Sequence, residues 1–433
     1  MNRNWMLATT LGLTLGILSL ASPAEALLAS VKTFGMAATG VAYPLDALAA
    51  AFNPAGAVEI PDRVDGGFTW SQDHGHSRIQ GNILDSIPFF RALLGRDVNG
   101  KFHGFRTKDF YSLDFGINKR LGNCEEWAVG VVVYNRNFNK TTFSKPFILF
   151  GTSRPGLEYL NETISGFVAY KLNDAHNLGI NINCQVERLK VNGLEKFDNA
   201  LRTAFPGNLT NRGYGWSVGW GFTLGWQWHI LDNLTIGLTY QPRTAMPRIS
   251  KYKGFIADRG RLDVPAMYSF GIAWRFCDDI TLAFDIQQYD WENVRALHNK
   301  LLHDGALEPL GKKHGPGFGF KNQTFYRFGI EYMLTCDFTV RAGYRYGNTP
   351  IRRSQTAVNQ LTLDCAESFL TAGASYRAGE RTEVSTFIAY GFKHKIKGKN
   401  SIPRGIPPAG FGGGEADLEQ SKFALGISLG YEY

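Results

Sequence analysis

The chain has 433 residues, 49 of them glycine, with 13% aromatics and a formal charge of +8 at neutral pH. Glycine at about 11%, against a usual 7% or so, argues for a turn-rich sheet protein rather than a helical one. The positive charge is spread along the chain with no block of five or six like charges, which excludes a nucleic-acid partner.

Taken in chain order, the first element is a leader. Arg3 precedes an apolar run over residues 5–20, which ends in Ala21-Ser-Pro-Ala-Glu-Ala26. That order of charge, apolar core and small residues predicts a secretory signal peptide cut near Ala26. The run is shorter than the roughly 20 residues of a spanning helix, and no later stretch is long and apolar enough to be one.

Residues 27–63 do not alternate. Asp46 can cap a short alanine-rich helix that Pro54-Ala-Gly56 would end. The piece is apolar, short of charge and too small to fold alone. It is expected to plug the lumen of the barrel formed by residues 64–433.

From there the chain alternates. Trp216, Val218, Trp220, Phe222, Leu224, Trp226 and Trp228 are set against Ser217, Gly219, Gly221, Thr223, Gly225 and Gln227. The last strand repeats the pattern from Phe423 to Tyr433. Side chains of a strand point alternately to opposite faces. One face here is aromatic and aliphatic, and the other is glycine-rich, which fits lipid outside and a packed or watery lumen inside. Short connections fall at 119–126, 172–177, 230–233, 277–279, 334–337 and 377–381. Longer ones fall at about 74–108, 138–161, 191–212, 243–265, 292–322, 347–365 and 394–420. They alternate without exception, as periplasmic turns and external loops do in an outer-membrane barrel. Six turns and seven loops join fourteen antiparallel strands. Aromatics beside the short turns, including Trp127, Trp274 and Tyr332, make an interfacial girdle. The expected location is the outer membrane of a Gram-negative-type bacterium, among its lipid and lipopolysaccharide.

Several pieces, read in order, resemble the outer-membrane transporters of long-chain fatty acids and aromatic hydrocarbons (the FadL/TodX, OMPP1-like type). They are Phe34-Gly-Met-Ala-Ala-Thr-Gly-Val-Ala-Tyr43 with Ala49-Ala-Ala-Phe-Asn-Pro-Ala-Gly56, then Val264–Trp274 leading to Asp285 and Asp290-Trp291. Tyr326-Arg-Phe-Gly-Ile-Glu-Tyr332 follows, with Thr339–Tyr344 and Pro350, and then Thr371–Arg377. The resemblance implies a fourteen-stranded barrel with an N-terminal hatch whose Asn-Pro-Ala falls on Asn53, Pro54 and Ala55, beside Phe34 and Gly56. It also implies passive uptake of hydrophobic small molecules, most readily fatty acids, released when the hatch shifts. Several cysteines and an apolar first loop depart from the family pattern.

Two features suggest where a ligand binds. In the first long loop Ile83, Leu84, Ile87, Phe89, Phe90, Leu93 and Leu94 have helical spacing. They form either an external capture groove or a lid on the barrel mouth. A weaker version is Leu297, Leu301, Leu302 and Leu307. Around the turn near Cys336, residue numbers that pair sum to about 672. Glu331 then faces Arg341, and Arg327 faces Arg345, all inward. Two opposed cations are unfavourable unless something sits between them. That is a ligand carboxylate, a loop aspartate or a lipopolysaccharide phosphate.

Of five cysteines, Cys124, Cys277 and Cys336 fall at short turns. They are either cross-linking sites for a periplasmic partner or unpaired turn residues. Cys184 sits among lipid-facing residues, and Cys365 ends an external loop. No C-x-x-C marks a metal or redox site, and no cofactor is implied. There is no phosphate-binding glycine loop. Asp73, His74 and His76, with Asp109 or Asp114, are a weak cluster read as solvated loop residues, so no enzyme is expected. A general porin and a structural or adhesin barrel are the other readings.

Overall fold

The computed structural model describes residues 29–433 apart from 96, 108, 123–124, 304 and 408. The expected leader and the cut near Ala26 lie outside the described residues, as does Cys124.

The strands are β1 (Arg63–Gln80), β2 (Gly100–His103), β3 (Asp109–Leu121), β4 (Trp127–Thr142) and β5 (Gly156–Lys171). They continue with β6 (His176–Asn192), β7 (Gly215–Leu231), β8 (Leu234–Gln241), β9 (Ala266–Cys277) and β10 (Ile280–Asp290). The last are β11 (Gln323–Met333), β12 (Phe338–Gly347), β13 (Ser368–Arg377), β14 (Thr382–Ile396) and β15 (Glu415–Glu432). Each long strand pairs antiparallel with its neighbour in the chain, and β15 pairs back on β1 from Arg63↔Glu432 to Gln80↔Glu415. This is a closed fourteen-stranded barrel. The short β2 is an addition within the first loop and pairs with the upper part of β1. Closure leaves no strand unpaired on either side along its whole length, which is what the bilayer demands of a sheet.

The outer face is as apolar as the alternation predicts. Trp216, Val218, Trp220, Phe222 and Leu224 are exposed, while Ser217, Thr223 and Gln227 are buried inside. The strands run further than their apolar pattern. β1 continues through residues 74–80, and β15 begins at Glu415 rather than near 421. Above the hydrocarbon both faces of a strand meet polar surroundings, so hydrogen bonding persists after the alternation has ended.

The N-terminal segment lies inside, at the short-turn end. Helix α1 (Val31–Gly35) is capped by Ser30, whose Oγ accepts from the Thr33 amide at 3.1 Å. Phe34 packs on Phe387 of the wall at 5.2 Å. Asp46 does accept from the Leu48 amide, but only a single 3₁₀ turn follows, at Ala49–Ala51. Pro54 then opens a second 3₁₀ turn (Pro54–Glu59), instead of ending all helical structure. Its missing N–H costs nothing at a first helical position, and Asn53 caps the turn by accepting from the Ala55 amide.

The glycine-rich inner face is the seat of this hatch. A β-carbon on Gly237 would stand 2.2 Å from the Val41 carbonyl oxygen, and one on Gly225 would stand 2.1 Å from Asn53 Oδ1. Gly179 meets the Pro54 backbone and Gly343 the Met36–Ala37 backbone in the same way. The hatch packs directly on the wall backbone because the wall has no side chains there. Gly237→Leu is therefore expected to expel the hatch, since overpacking costs about 1–3 kcal/mol or more. The barrel should still close. Heat-modifiable electrophoretic mobility should persist while steady ion conductance in planar bilayers rises; unchanged conductance would count against the seat.

Candidate ligand-binding site

The hatch is tied to the wall by hydrogen bonds from many strands. Asp285 Oδ2 accepts from the Gly40 and Val41 amides at 2.8 and 3.2 Å. Thr371 Oγ accepts from the Ala37 amide and donates to the Gly35 carbonyl. Asn53 Nδ2 donates to the Val41 carbonyl at 2.8 Å and to the Trp226 carbonyl at 3.1 Å. At the foot, Lys32 pairs with Glu383 at 2.5 Å, and Arg63 bridges Asp65 and Glu383. Burial, reinforced by the Asp65 carboxylate, pushes the Asp46 carboxyl up to about 6. Burial also lowers the Lys32 amine, with Arg63 adding to the effect.

Above the hatch lies an apolar cavity with about 1930 Å³ of empty space, its mouth included. The long loops fold inward to build it. One wall is a run of rings: Phe102 to Phe147 at 4.6 Å, Phe147 to Phe150 at 5.3 Å, Phe150 to Phe197 at 5.6 Å and Phe197 to Phe411 at 5.4 Å. A second run joins Phe255, Phe318, Phe320, Trp291 and Tyr289. Leu157, Leu189 and Leu194 fill between them. The rings meet in a mixture of edge-to-face and stacked pairs and so present both faces and edges to a guest.

The lining is mostly apolar but includes Asn137, Asn161, Asp263, Gln323, Gln360 and Asp364, and Arg136 is the one cation among its described residues. Arg136 lines the cavity and is buried, with Nη2 3.5 Å from Met267 Sδ. Tyr289 also lines it, 2% exposed, and its hydroxyl has no hydrogen-bond partner. Arg136, Arg327 and Arg345 all act electrostatically on that hydroxyl. A buried donor without a partner costs about 1–3 kcal/mol, so this corner favours a polar group on an otherwise greasy guest.

The wall beside Arg136 is incomplete. The β3–β4 ladder runs from Leu121↔Trp127 up to Phe115↔Val133 and stops. Among the described residues no ladder pair joins β3 to β4 above that point. β4 carries an irregularity at Asn135/Asn137 in its pairing with β5, and residues 132–136 are all buried where alternation would put every second one outside. The strand bends inward there, as an inserted residue makes it do. The gap is crossed by side chains only: Asn135 Nδ2 donates to Ser112 Oγ at 2.5 Å, and Phe110 meets Phe138 at 5.8 Å. Higher up the wall closes again, where the Thr142 amide donates to the Gly104 carbonyl and the Arg106 amide to the Thr142 carbonyl.

A family model described as "Outer membrane protein transport protein (OMPP1/FadL/TodX)" matches residues 121–433. The chain belongs to this family. It is an outer-membrane β-barrel that transports hydrophobic compounds, in a family of transport channels rather than enzymes. Among solved structures it is similar to a Pseudomonas aeruginosa FadL homologue, with a TM-score of 0.69, 17% identity, and coverage of 96% of this chain and 99% of that one. It is also similar to the P. putida toluene transporter TodX, at TM-score 0.63 and 14% identity, over 95% of this chain and 99% of that one. The Ralstonia pickettii toluene transporter TbuX gives a TM-score of 0.61 and 14% identity, over 94% and 98%. At these identities the likeness shows the fold. No curated protein matched the chain in a sequence search.

In this FadL/TodX-type barrel, Arg327 and Arg345 do oppose each other, and Glu331 opposes Arg341. What separates the two cations is protein. Arg327 Nη2 donates to Gln287 Oε1 at 2.7 Å and Nη1 to the hatch carbonyl of Ala38 at 3.3 Å. The Phe325 ring lies 5.6 Å from the Arg327 guanidinium and 5.3 Å from that of Arg345, which also stacks on Phe369 at 4.0 Å. Both arginines sit behind Tyr289, outside the cavity lining. Arg136 does line it, and sequence reasoning passed it over. Its one signal is Asn135-Arg-Asn137, which breaks an apolar strand run.

The first-loop residues divide. Leu84 is fully buried, and Phe90 and Leu94 pack against its cluster with Ile402 and Phe411. Phe89 and Leu93 are exposed on the other side of helix α2 (Pro88–Leu94), as is Ile83 in the 3₁₀ turn before it (Ile83–Ser86), while Ile87 is half-buried. None of the seven lines the main cavity; the inner ones support its roof.

The remaining candidates separate as well. Asp73 points inward and His74 outward, because successive strand residues face opposite ways. No group of three or more metal-binding side chains occurs among the described residues. Cys277 and Cys336 are free and exposed, Cys184 is free, and Cys365 is free and buried. Burial pushes the Cys365 thiol up, leaving it unreactive.

Proposed function

We propose that this barrel takes up long-chain fatty acids passively, holding the chain in the aromatic cavity with its carboxylate at Arg136 and the Tyr289 hydroxyl. The single observation that carries the reading is that Arg136 is the one cation among the described residues lining a largely apolar cavity. A guest with one anionic end and a long apolar body satisfies both parts. An anion at Arg136 gains a charge-assisted hydrogen bond, and the rest gains about 25 cal/mol for each Å² of apolar surface removed from water. The cation role assigned to Arg327 and Arg345 passes to Arg136, because those two already engage Gln287, Ala38 and the phenylalanine rings. They act from behind the floor, where Arg327 connects it to the hatch.

We further infer that the guest leaves sideways through the β3–β4 gap into the bilayer. A greasy solute gains nothing by entering periplasmic water, and the hatch is bonded to the wall from many sides. The exposed Phe89 and Leu93 are the first surface such a solute meets on the way in, which keeps the capture role for the first loop. A second reading is uptake of uncharged aromatic hydrocarbons. The ring-lined walls favour it, and two of the similar solved structures are toluene transporters.

Solvent extraction of the purified protein followed by mass spectrometry tests both. Fatty acids in the extract, and saturable uptake of labelled oleate by cells carrying the protein, support the first. Uptake of toluene alone supports the second. Uptake of neither above empty-vector cells would sink both. A periplasmic cross-link through Cys277 or Cys336 is a separate proposal; only monomer on non-reducing electrophoresis of membranes would reject it.

A further inference from the structure

The outer rim carries a charged groove that the transport function does not use. It lies on the outside of the barrel between the upper end of β14, the segment after β12 and the approach to β11. Lys321, Arg352, Arg353, His394, Lys395 and Lys397 line it, and no acidic residue does. The nearest carboxylates are spent on some of these groups. Arg352 pairs with Glu292 at 2.5 Å, Lys395 with Asp417 at 3.2 Å and His394 with Glu367 at 3.4 Å. Lys321, Arg353 and Lys397 form no ion pair among the described residues.

The groove is built rather than incidental. Arg353 Nε donates to the Lys397 carbonyl at 3.0 Å, and the Lys399 amide donates to the Arg353 carbonyl at 3.0 Å. The Lys321 amide donates to the Pro350 carbonyl at 2.9 Å. Ile351 and Ile396, between the cations, are buried in one apolar cluster. Three chain segments are thus held at fixed spacing, with their cations side by side. Like charges gathered this closely repel unless an anion joins them.

Its height on the barrel selects the anion. Immediately below, the outward faces carry Tyr326, Tyr344, Tyr346, Tyr390 and Phe392, all exposed. Such a band marks the upper edge of the hydrocarbon. The groove opens just beyond it, at the level of the outer-leaflet headgroups. Basic pockets at that depth bind phosphorylated headgroups, and guanidinium matches phosphate geometry.

We propose that this groove is a binding site for the phosphate groups of the outer-leaflet glycolipid, and that it anchors one lipid molecule against β12–β14. The test uses the full-length protein in detergent, with purified lipopolysaccharide and the same glycolipid stripped of phosphate. The wild type is expected to retain lipopolysaccharide, and the double variant Arg353→Gln, Lys397→Gln to lose affinity roughly tenfold or more. The dephosphorylated glycolipid should bind the wild type as weakly as intact lipopolysaccharide binds the variant. Millimolar inorganic phosphate should not displace the lipid. The variant's heat-modifiable mobility and uptake of hydrophobic solutes should stay normal, showing an intact barrel. Equal binding by variant and wild type, equal binding of the dephosphorylated lipid, or displacement by inorganic phosphate would each overturn the assignment.

Discussion

Arg136→Gln is expected to weaken fatty acid binding by roughly tenfold to a hundredfold and to leave toluene binding unchanged. A hydrogen bond to a charged group is worth about 1.5–3 kcal/mol, and each 1.4 kcal/mol or so is a factor of ten in Kd. The guanidinium is buried, so water screens it little. Glutamine keeps a shorter hydrogen-bond donor and removes the charge. Tyr289→Phe should act in the same direction, more weakly, because it removes an uncharged hydroxyl. Titration of purified protein with oleate and with toluene checks this. Equal losses for both ligands would mean that the arginine only shapes the cavity. No loss for either would remove the carboxylate from that corner.

The second expected result concerns the exit. Ser112→Cys with Asn135→Cys puts thiols on the two side chains that now hydrogen-bond at 2.5 Å across the β3–β4 gap. Oxidation is expected to bridge them and cut uptake of hydrophobic solutes at least about tenfold, with recovery on adding a reductant. The upper edges of β3 and β4 carry backbone groups without ladder partners, which hydrocarbon tolerates only where protein or a cavity covers them. Side chains provide that cover, and side chains can move on rotamer timescales while the ladder below stays closed. The described native thiols lie elsewhere: Cys184 among lipid-facing residues, Cys365 in the loop core, Cys277 and Cys336 at the short-turn end. Full uptake through a verified cross-link would send the route down past the hatch instead.

Much of the barrel was legible because lipid enforces a period of two. Any residue from Trp216 to Trp228 on the wrong face would put a polar group in hydrocarbon or a tryptophan against the hatch. Strand number followed from the alternation of short and long connections, and the register of β11 and β12 from a tight turn. Strand length did not. The pattern fades at His74 and again before Lys422, where both faces become polar, yet the β1–β15 ladder continues to Gln80↔Glu415. The glycines of the inner face were visible, but their purpose was not, since nothing local says which backbone comes to rest on Gly237.

The candidate site was harder. A self-contained pair such as Arg327 and Arg345 stands out in a register drawing, yet what lies between them comes from Phe325, Gln287 and Ala38, which no spacing rule brings together. Arg136 looked ordinary, because its role depends on a bend in β4 and on seven loops converging above it. The sequence alone determined which surface meets lipid, how many times the chain crosses, and that a small apolar segment must be sheltered inside. Those are properties of neighbouring residues and of the solvent they face. Only the tertiary structure decided where the wall is interrupted, which cation reaches the cavity, and which loop residues line it rather than support it. Each of these depends on contacts between segments tens to hundreds of residues apart, set by closure of the barrel and not by any local preference.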